Sequence, residues 1–325
     1  MRAAELLATG LIAAVAWPVS QSVWAQDTAA ETGTAAQPEV QSADPGVLEE
    51  VLVRGQRMSE IEFDLHTYVQ EFLGEVVALP PGGGYARWRY GLCVAVNNLE
   101  RGAAQYVADR IALLAMDVGL KPGEPGCSPN VLIIFTTNAD ELAHELVETQ
   151  PRLFRPGGPA CCMQLGLDAL DEFAASDEPV RWWHVSMPVD VNLGQRAIHL
   201  PQDGPGNYPI ISVFGPSRVH SGVADRMERV IIIVDGTQLR GTTWEELGDY
   251  LAVVSLAQIN PKADPSAFDS ILNLFKNPGA YSGLTDWDRS YIQALYEIDV
   301  ERLPRLQKNL IVDRMVTRER EEIIE

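Results

Sequence analysis

The chain has 325 residues, with 45 Asp and Glu against 25 Lys and Arg, for a formal net charge of −20. A charge of that sign and size repels phosphate backbones and anionic membrane surfaces, which sets nucleic-acid binding aside. About 270 residues follow the signal and leader segments described below, enough for one large domain or two small ones.

Residues 1–25 read as a secretory signal: Arg2, the apolar run "LLATGLIAAVAW" and the small-residue exit "VWA" before Gln26. The run is too short to span a bilayer. No later stretch comes near 18 uncharged apolar residues, so no transmembrane segment is expected after signal removal. Loss of the signal takes away Arg2 and Glu5, and the charge stays at −20. The expected location is periplasmic or secreted, where four Cys favour disulfides over metal thiolates.

Residues 26–57 read as a disordered leader, rich in Ala, Thr, Gln and acid, that ends in the short strand-like piece "LEEVLVRGQR" (48–57). A single α+β domain is expected over 58–312, and a charged helical tail over 313–325. "MSEIEFDLHTYVQEFLGEVV" has Ile61, Leu65, Val69 and Phe72 at helical spacing. After "PPGGG", "RWRYGLCVAVNN" reads as a strand. The next segment, "ERGAAQYVADRIALLAMDVGL", reads as a helix with Val107, Ile111, Leu114 and Val118 on one face, and "NVLIIFTT" as a buried strand. This order predicts a βαβ start. From 151 to 228 the chain is Pro- and Gly-rich, with "RWWHVSMPVD" and "YPIISVF" as strands between loops. "RVIIIVDGTQL" is another buried strand. "TTWEELGDYLAVVSLAQI" is a helix opened by a capping box, Thr243 with Glu246. "AFDSILNLF", "TDWDRSYIQALYEI" and the tail from Val300 read as helical.

The stretch "DELAHELVETQ" (140–150) is one letter short of HExxH, the zinc-helix signature. Asn138 with Glu141 makes a capping box that starts this helix. Leu142 and Leu146 then share one face with Ala139, Ala143 and Val147, and His144 and Glu148 fall on the opposite, polar face. A catalytic zinc helix shows its ligands to a cleft, so "HELVE" reads as a solvated His–Glu pair. The other His (His66, His184, His199, His220) stand at no ligand spacing. No GxSxG elbow occurs, and "PPGGGY" lacks the Lys-Ser/Thr of a phosphate loop. Trp88, Trp182 and Trp183 read first as core, with a peptide or glycan contact as the alternative if one is exposed.

"TTWEELGDYLAVVSLAQINP", then "SILNLF", then "GLTDWDRSYIQALYEID" resemble, in order and spacing, the end of a metzincin-type zincin domain: active-site helix, Met-containing turn, closing helix. Upstream, "RWRYGLCVAV", the helix to Leu120 and "CSPNVLIIFTTNADEL" resemble the first strand, first helix and second strand of secreted zincin-like bacterial proteins. The likeness covers most of residues 86–298. It implies an α+β, zincin-like domain with a twisted mixed sheet, a long overlying helix and a helical C-terminal part. The family's metal site does not carry over. Its two His positions fall at Asp249 and Val253, or at Tyr250 and Val254, and the last His in the chain is His220. Leu272 or Leu274 stands where the Met of the turn would sit.

The resemblance therefore implies a pseudo-peptidase scaffold with no metal, no cofactor and no catalytic residues, holding a peptide or an envelope partner in a vestigial cleft. Asp249, Tyr250, Asp286 and Trp183 are its candidate binding residues, beside the strand "RVIIIVDG", with which a peptide pairs in active relatives. The alternative is a hydrolase using non-standard residues of the same cleft, such as Asp249 with Asp286 and Asp288; a third reading is a structural protein without a pocket. Asp286, in the first turn of the closing helix, also has a plain role against the helix dipole. Cys93 and Cys127 fall near the ends of the first two strands and are predicted to form a disulfide. Cys161 and Cys162 are adjacent and expected in a loop.

Overall fold

The runs "VLIIFT" and "VIIIVD" are apolar and β-branched throughout, a composition that suits strands covered on both faces. In a computed structural model, which describes residues 45–80, 83–155, 165–197 and 220–324, with side chains from 61 to 321 of these, they lie at the centre of a four-stranded sheet. β2 (Val131–Thr136) and β4 (Val223–Asp235) run parallel, with Val131 beside Val230 and Thr136 beside Asp235. β1 (Val94–Asn97) is parallel to β2 on one side. β3 (Val180–Asp190) is antiparallel to β4 on the other, so the order is β1-β2-β4-β3. The fold is thus α+β with a mixed sheet.

Parallel neighbours need a crossover, and α2 (Arg101–Asp117) joins β1 to β2. Between β2 and β3 come α3 (Ala139–Thr149), α4 (Pro151–Phe154) and α5 (Leu167–Ala174). After β4 follow α6 (Trp244–Leu256), 3₁₀ turns at Pro265–Ala267 and Ile271–Asn273, α7 (Asp286–Glu297) and α8 (Pro304–Ile324). α1 (Pro45–Val76) precedes them all. The chain divides into two units, residues 1–51, of which 45–51 are described as the opening of α1, and Leu52–Glu325, which holds everything else described here.

The strands bury both faces. Val230, Ile232, Val234 and Trp182 join the larger core with α1, α2, α6, α7 and α8, while Ile231, Ile233, Trp183 and Val185 join a smaller core with α3, α4 and α5. α6 is buried along nearly its whole length, Leu247 to Leu256. Its Gly248 permits the approach of α2: a Cβ there would lie 2.9 Å from Arg110 Cγ. The capping box of Thr243 and Glu246 is formed. Cys93 and Cys127 form a disulfide, Cα–Cα 6.1 Å, that ties the chain before β1 to the turn before β2.

Four local expectations change. Residues 48–57 continue α1 as helix rather than forming a strand: Leu, Glu, Arg and Gln are good helix formers, and Pro45 stands at the helix start, where its missing N–H costs nothing. Asn138 precedes α3, but its side chain bonds the Glu141 carboxylate and caps no backbone group. The "AFDSILNLF" segment forms no α-helix but carries the end of one 3₁₀ turn and the whole of the next, because the Asp288 carboxylate and Ser270 take up the N–H groups of Ile271 and Leu272. β1 is limited to four residues; Arg87 and Leu92 contribute single bridges only. The signal and the leader up to residue 44, Cys161 and Cys162, His199 and "YPIISVF" lie outside the described residues. Among the described residues no helix is long and apolar enough to cross a membrane.

Candidate functional site

"VLIIFT" and "RVIIIVD" give the sheet its buried centre, and β3, antiparallel at one border, gives it an edge. Which backbone groups that edge presents follows from the ladder. The Asp235 N–H donates to the Pro179 carbonyl at 2.8 Å, and the Val230 N–H points the other way, to Asn130 of the β2 side, at 2.9 Å. In an antiparallel pair bonded and non-bonded positions alternate. Val180, Trp182 and His184 therefore turn their N–H and C=O groups outward, away from β4. Among the described residues no backbone hydrogen bond engages them. Further along the strand the edge is taken: the Asp190 N–H donates to Gln195 and the Pro188 carbonyl accepts from Ala197.

The outward edge faces a groove of about 290 Å³. One wall is α5 and the segment just before it, with Leu165, Ala169 and Phe173. The other is the loop from Asn260 to Lys262, and the floor is Trp182 and Trp183. A smaller cavity of about 160 Å³ shares Val180, Trp182 and the 260–262 loop with it and reaches under the edge to Tyr250 and Phe275. One charged residue of the lining, Arg181, is buried and paired with Asp140, and the others are at the rim. Lys262 Nζ meets Glu172 Oε1 at 2.7 Å, spanning from the loop to α5, and Glu178 lines both cavities. The walls are thus apolar with a bridged ionic rim, an arrangement suited to holding an extended, partly apolar segment.

Both indoles of the floor are fixed by hydrogen bonds. Trp182 Nε1 donates to Ile259 and Trp183 Nε1 to Phe154, each at 3.0 Å. His184 Nε2 donates to the Val254 carbonyl of α6 at 2.8 Å. Burial pushes this imidazole down to about 4, so it stays neutral.

The predicted binding residues are placed apart. Asp249 is 4% exposed and belongs to the α2–α6 contact: its Oδ1 accepts from Arg110 Nε at 2.8 Å, its Oδ2 from the Arg110 Nη2 and from the Leu284 N–H. Tyr250, one residue on, points to the sheet and meets Trp182 and Phe275 edge-on, with centroids 6.2 and 5.1 Å away. Burial, and then the Glu178 carboxylate, holds its phenol above the ordinary value. Asp286 is exposed in the first turn of α7. Asp288 is buried, pushed up to about 6 by burial, and accepts from Ser270, Ile271 and Thr285. Trp183 lies on the opposite sheet face from α6. Only Tyr250 and Trp183 reach the connected cavities, each from its own side of the sheet.

Strand "RVIIIVDG" is not the border for peptide pairing. β4 is flanked by β2 and β3, so both of its edges are used, and the border strands of the sheet are β1 and β3. His144 and Glu148 are exposed on α3. Among the described residues no group of three or more His, Cys, Asp and Glu stands close enough to hold a metal ion. Phe173, Leu165 and Ala169 had no signal in the sequence. They come to the groove only because α5 packs across Trp183. No protein-family model, no curated protein and no solved structure matches this chain.

Proposed function

We propose that this chain is an exported, non-catalytic binding module that captures an extended peptide by strand addition to the outer edge of β3. The observation that carries the reading is the row of outward backbone groups at Val180, Trp182 and His184, facing an apolar groove about 290 Å³ in volume. Main-chain pairing gives affinity in this mode, and pockets for alternate side chains give specificity. The −20 charge favours basic flanks on the partner. Export is supported by the signal-like first 25 residues and by the Cys93–Cys127 disulfide. A zincin-like scaffold without its metal site is supported by the mixed sheet, its antiparallel border strand and a buried α6 beside that border. Where such a scaffold would carry ligands, Asp249 is instead committed to Arg110 and Tyr250 to aromatic packing.

The test is selection of random linear peptides on the mature protein, followed by amide exchange in the selected complex. Bound peptide is expected to slow exchange at Val180 and Trp182. Ala169→Arg, which fills the half-buried wall of the groove, is expected to abolish capture without moving the unfolding midpoint. Selected peptides that leave those amides unchanged, or that bind the Ala169→Arg variant equally well, would remove the reading.

A further inference from the structure

A second cavity lies outside the carboxyl ends of the parallel strands β1, β2 and β4, at Asn98, Thr136 and Gly236. Open sheets with parallel strands form a crevice at that end, because the connections there leave toward different faces. Here α2 leaves β1 for the larger core and α3 leaves β2 for the smaller one. The cavity measures about 660 Å³, within the usual range for small-molecule sites. It shares no lining residue with the peptide groove, so its role stands or falls separately.

Its chemistry is selective. Among the described residues none that lines it is charged, in a chain of which 22% is charged. The helix starts around it are supplied with their own carboxylates. Glu100 accepts from the Gly102 and Ala103 N–H groups of α2, Glu246 closes the capping box of α6, and Glu141 stands in the first turn of α3. Those ends therefore repel an anion rather than attract one. The base is apolar, with Leu99, Phe135, Leu239 and Leu247. The rim offers Asn98, Thr137 and Thr242, whose side chains have no hydrogen-bond partner among the described residues. Asn98 is also the one non-glycine described residue at positive φ, 59°, a conformation that asparagine tolerates and that concentrates at functional positions. Over the rim stands Trp244, 45% exposed and tilted against Phe135 at 6.3 Å.

An apolar base, an open indole face, unpaired neutral donors and acceptors, and carboxylates behind the helix ends fit one ligand class: a neutral molecule with an apolar face and a hydroxylated edge. We infer that this crevice binds a neutral saccharide, its ring laid on Trp244 and its hydroxyls paired with Asn98, Thr137 and Thr242.

The test uses the full mature protein labelled with ¹⁵N, titrated with glucose, galactose, N-acetylglucosamine and, as an anionic control, glucuronate. At least one neutral sugar is expected to shift the Trp244 indole and Asn98 side-chain amide signals, and glucuronate is expected to bind at least tenfold more weakly or not at all. Trp244→Ala is expected to weaken the neutral sugar by about tenfold or more. Thr242→Val, which keeps shape and loses the hydroxyl, serves as the second variant if Trp244→Ala does not fold, and is expected to weaken it by at least about threefold. No shift with any neutral sugar, glucuronate binding as well as the neutral sugars, or undiminished affinity in the variants would each overturn the inference.

Discussion

Asp249 shows how a residue can look available in sequence and be committed in space. Its carboxylate is almost wholly buried, bonded to Arg110 of α2 and to the Leu284 N–H before α7. Removing one partner leaves a buried charge uncompensated, which costs more than the pair itself contributes. Arg110→Ala is expected to lower unfolding stability by about 3 kcal/mol, and Arg110→Ala with Asp249→Ala by less than the sum of the two singles, read from urea midpoints. Additive losses would show that the pair is not coupled. The titrating groups oppose one another. Burial lowers His184 to about 4, so the unfolded chain takes that proton first, and the stability it provides is present above pH 6.5 and lost as pH falls toward 4. Asp225 and Asp288 are raised to about 6, again by burial. Their protons favour the folded state, so that stability is full below pH 3.8 and is lost as pH rises through 6. Urea midpoints at pH 7 and pH 5 separate the two. His184→Gln is expected to gain on acidification relative to the parent, by on the order of 1–2 kcal/mol, and an unchanged pH slope would contradict the buried, neutral imidazole.

At the level of elements, β1 is the weakest member of the sheet, with four residues paired on one side only. Its support is covalent: the Cys93–Cys127 bridge fixes its start, and Asn130 accepts from the Cys93 N–H at 2.7 Å. The bridge also dictates its neighbour, since a Cβ on Gly123 would sit 2.5 Å from Cys127 Sγ. Replacing both Cys by Ala is expected to lower stability by up to about 4 kcal/mol and to speed amide exchange in β1 ahead of β4. Uniform exchange across the sheet would indicate that β1 holds without the bridge. Tyr250 is a second case. Its two edge-on ring contacts and 5% exposure make it a packing residue with one edge in a cavity. Tyr250→Ala is expected to cost about 3–5 kcal/mol, read as a fall in the urea midpoint, and a loss below 1 kcal/mol would place the ring outside the core.

Across the whole molecule the excess of 45 acidic over 25 basic residues sets a self-repulsion that salt screens. Among the described residues most ion pairs are at least half exposed on one partner, and such pairs contribute little. Screening is therefore expected to relieve more repulsion than it removes attraction. The thermal midpoint should rise by a few degrees between about 10 and 150 mM NaCl, and a fall on adding salt would assign the pairs a larger share of stability than their exposure allows.

Much of this architecture was legible in the chain. The buried strands, the βαβ start, α2, α3, α6 with its capping box and α7 all follow from local patterns, β-branched runs, a 3.6-residue period, Thr243 with Glu246, and the Cys93–Cys127 bridge follows from the place of each Cys near the end of one of the first two strands. Local periodicity reports which face of an element is apolar, and that information lies within a few residues. Which strand stands at the border does not. "RVIIIVDG" and "RWWHVSMPVD" are both apolar, and only long-range pairing, of β4 with β2 as well as with β3, put the first inside and the second at the edge. For the same reason the groove made where α5 meets the loop at Pro261, and the crevice made where three strand ends meet Trp244, have no signature in sequence. Each is a property of distances between residues far apart in the chain, and those distances are fixed by packing rather than by any local preference.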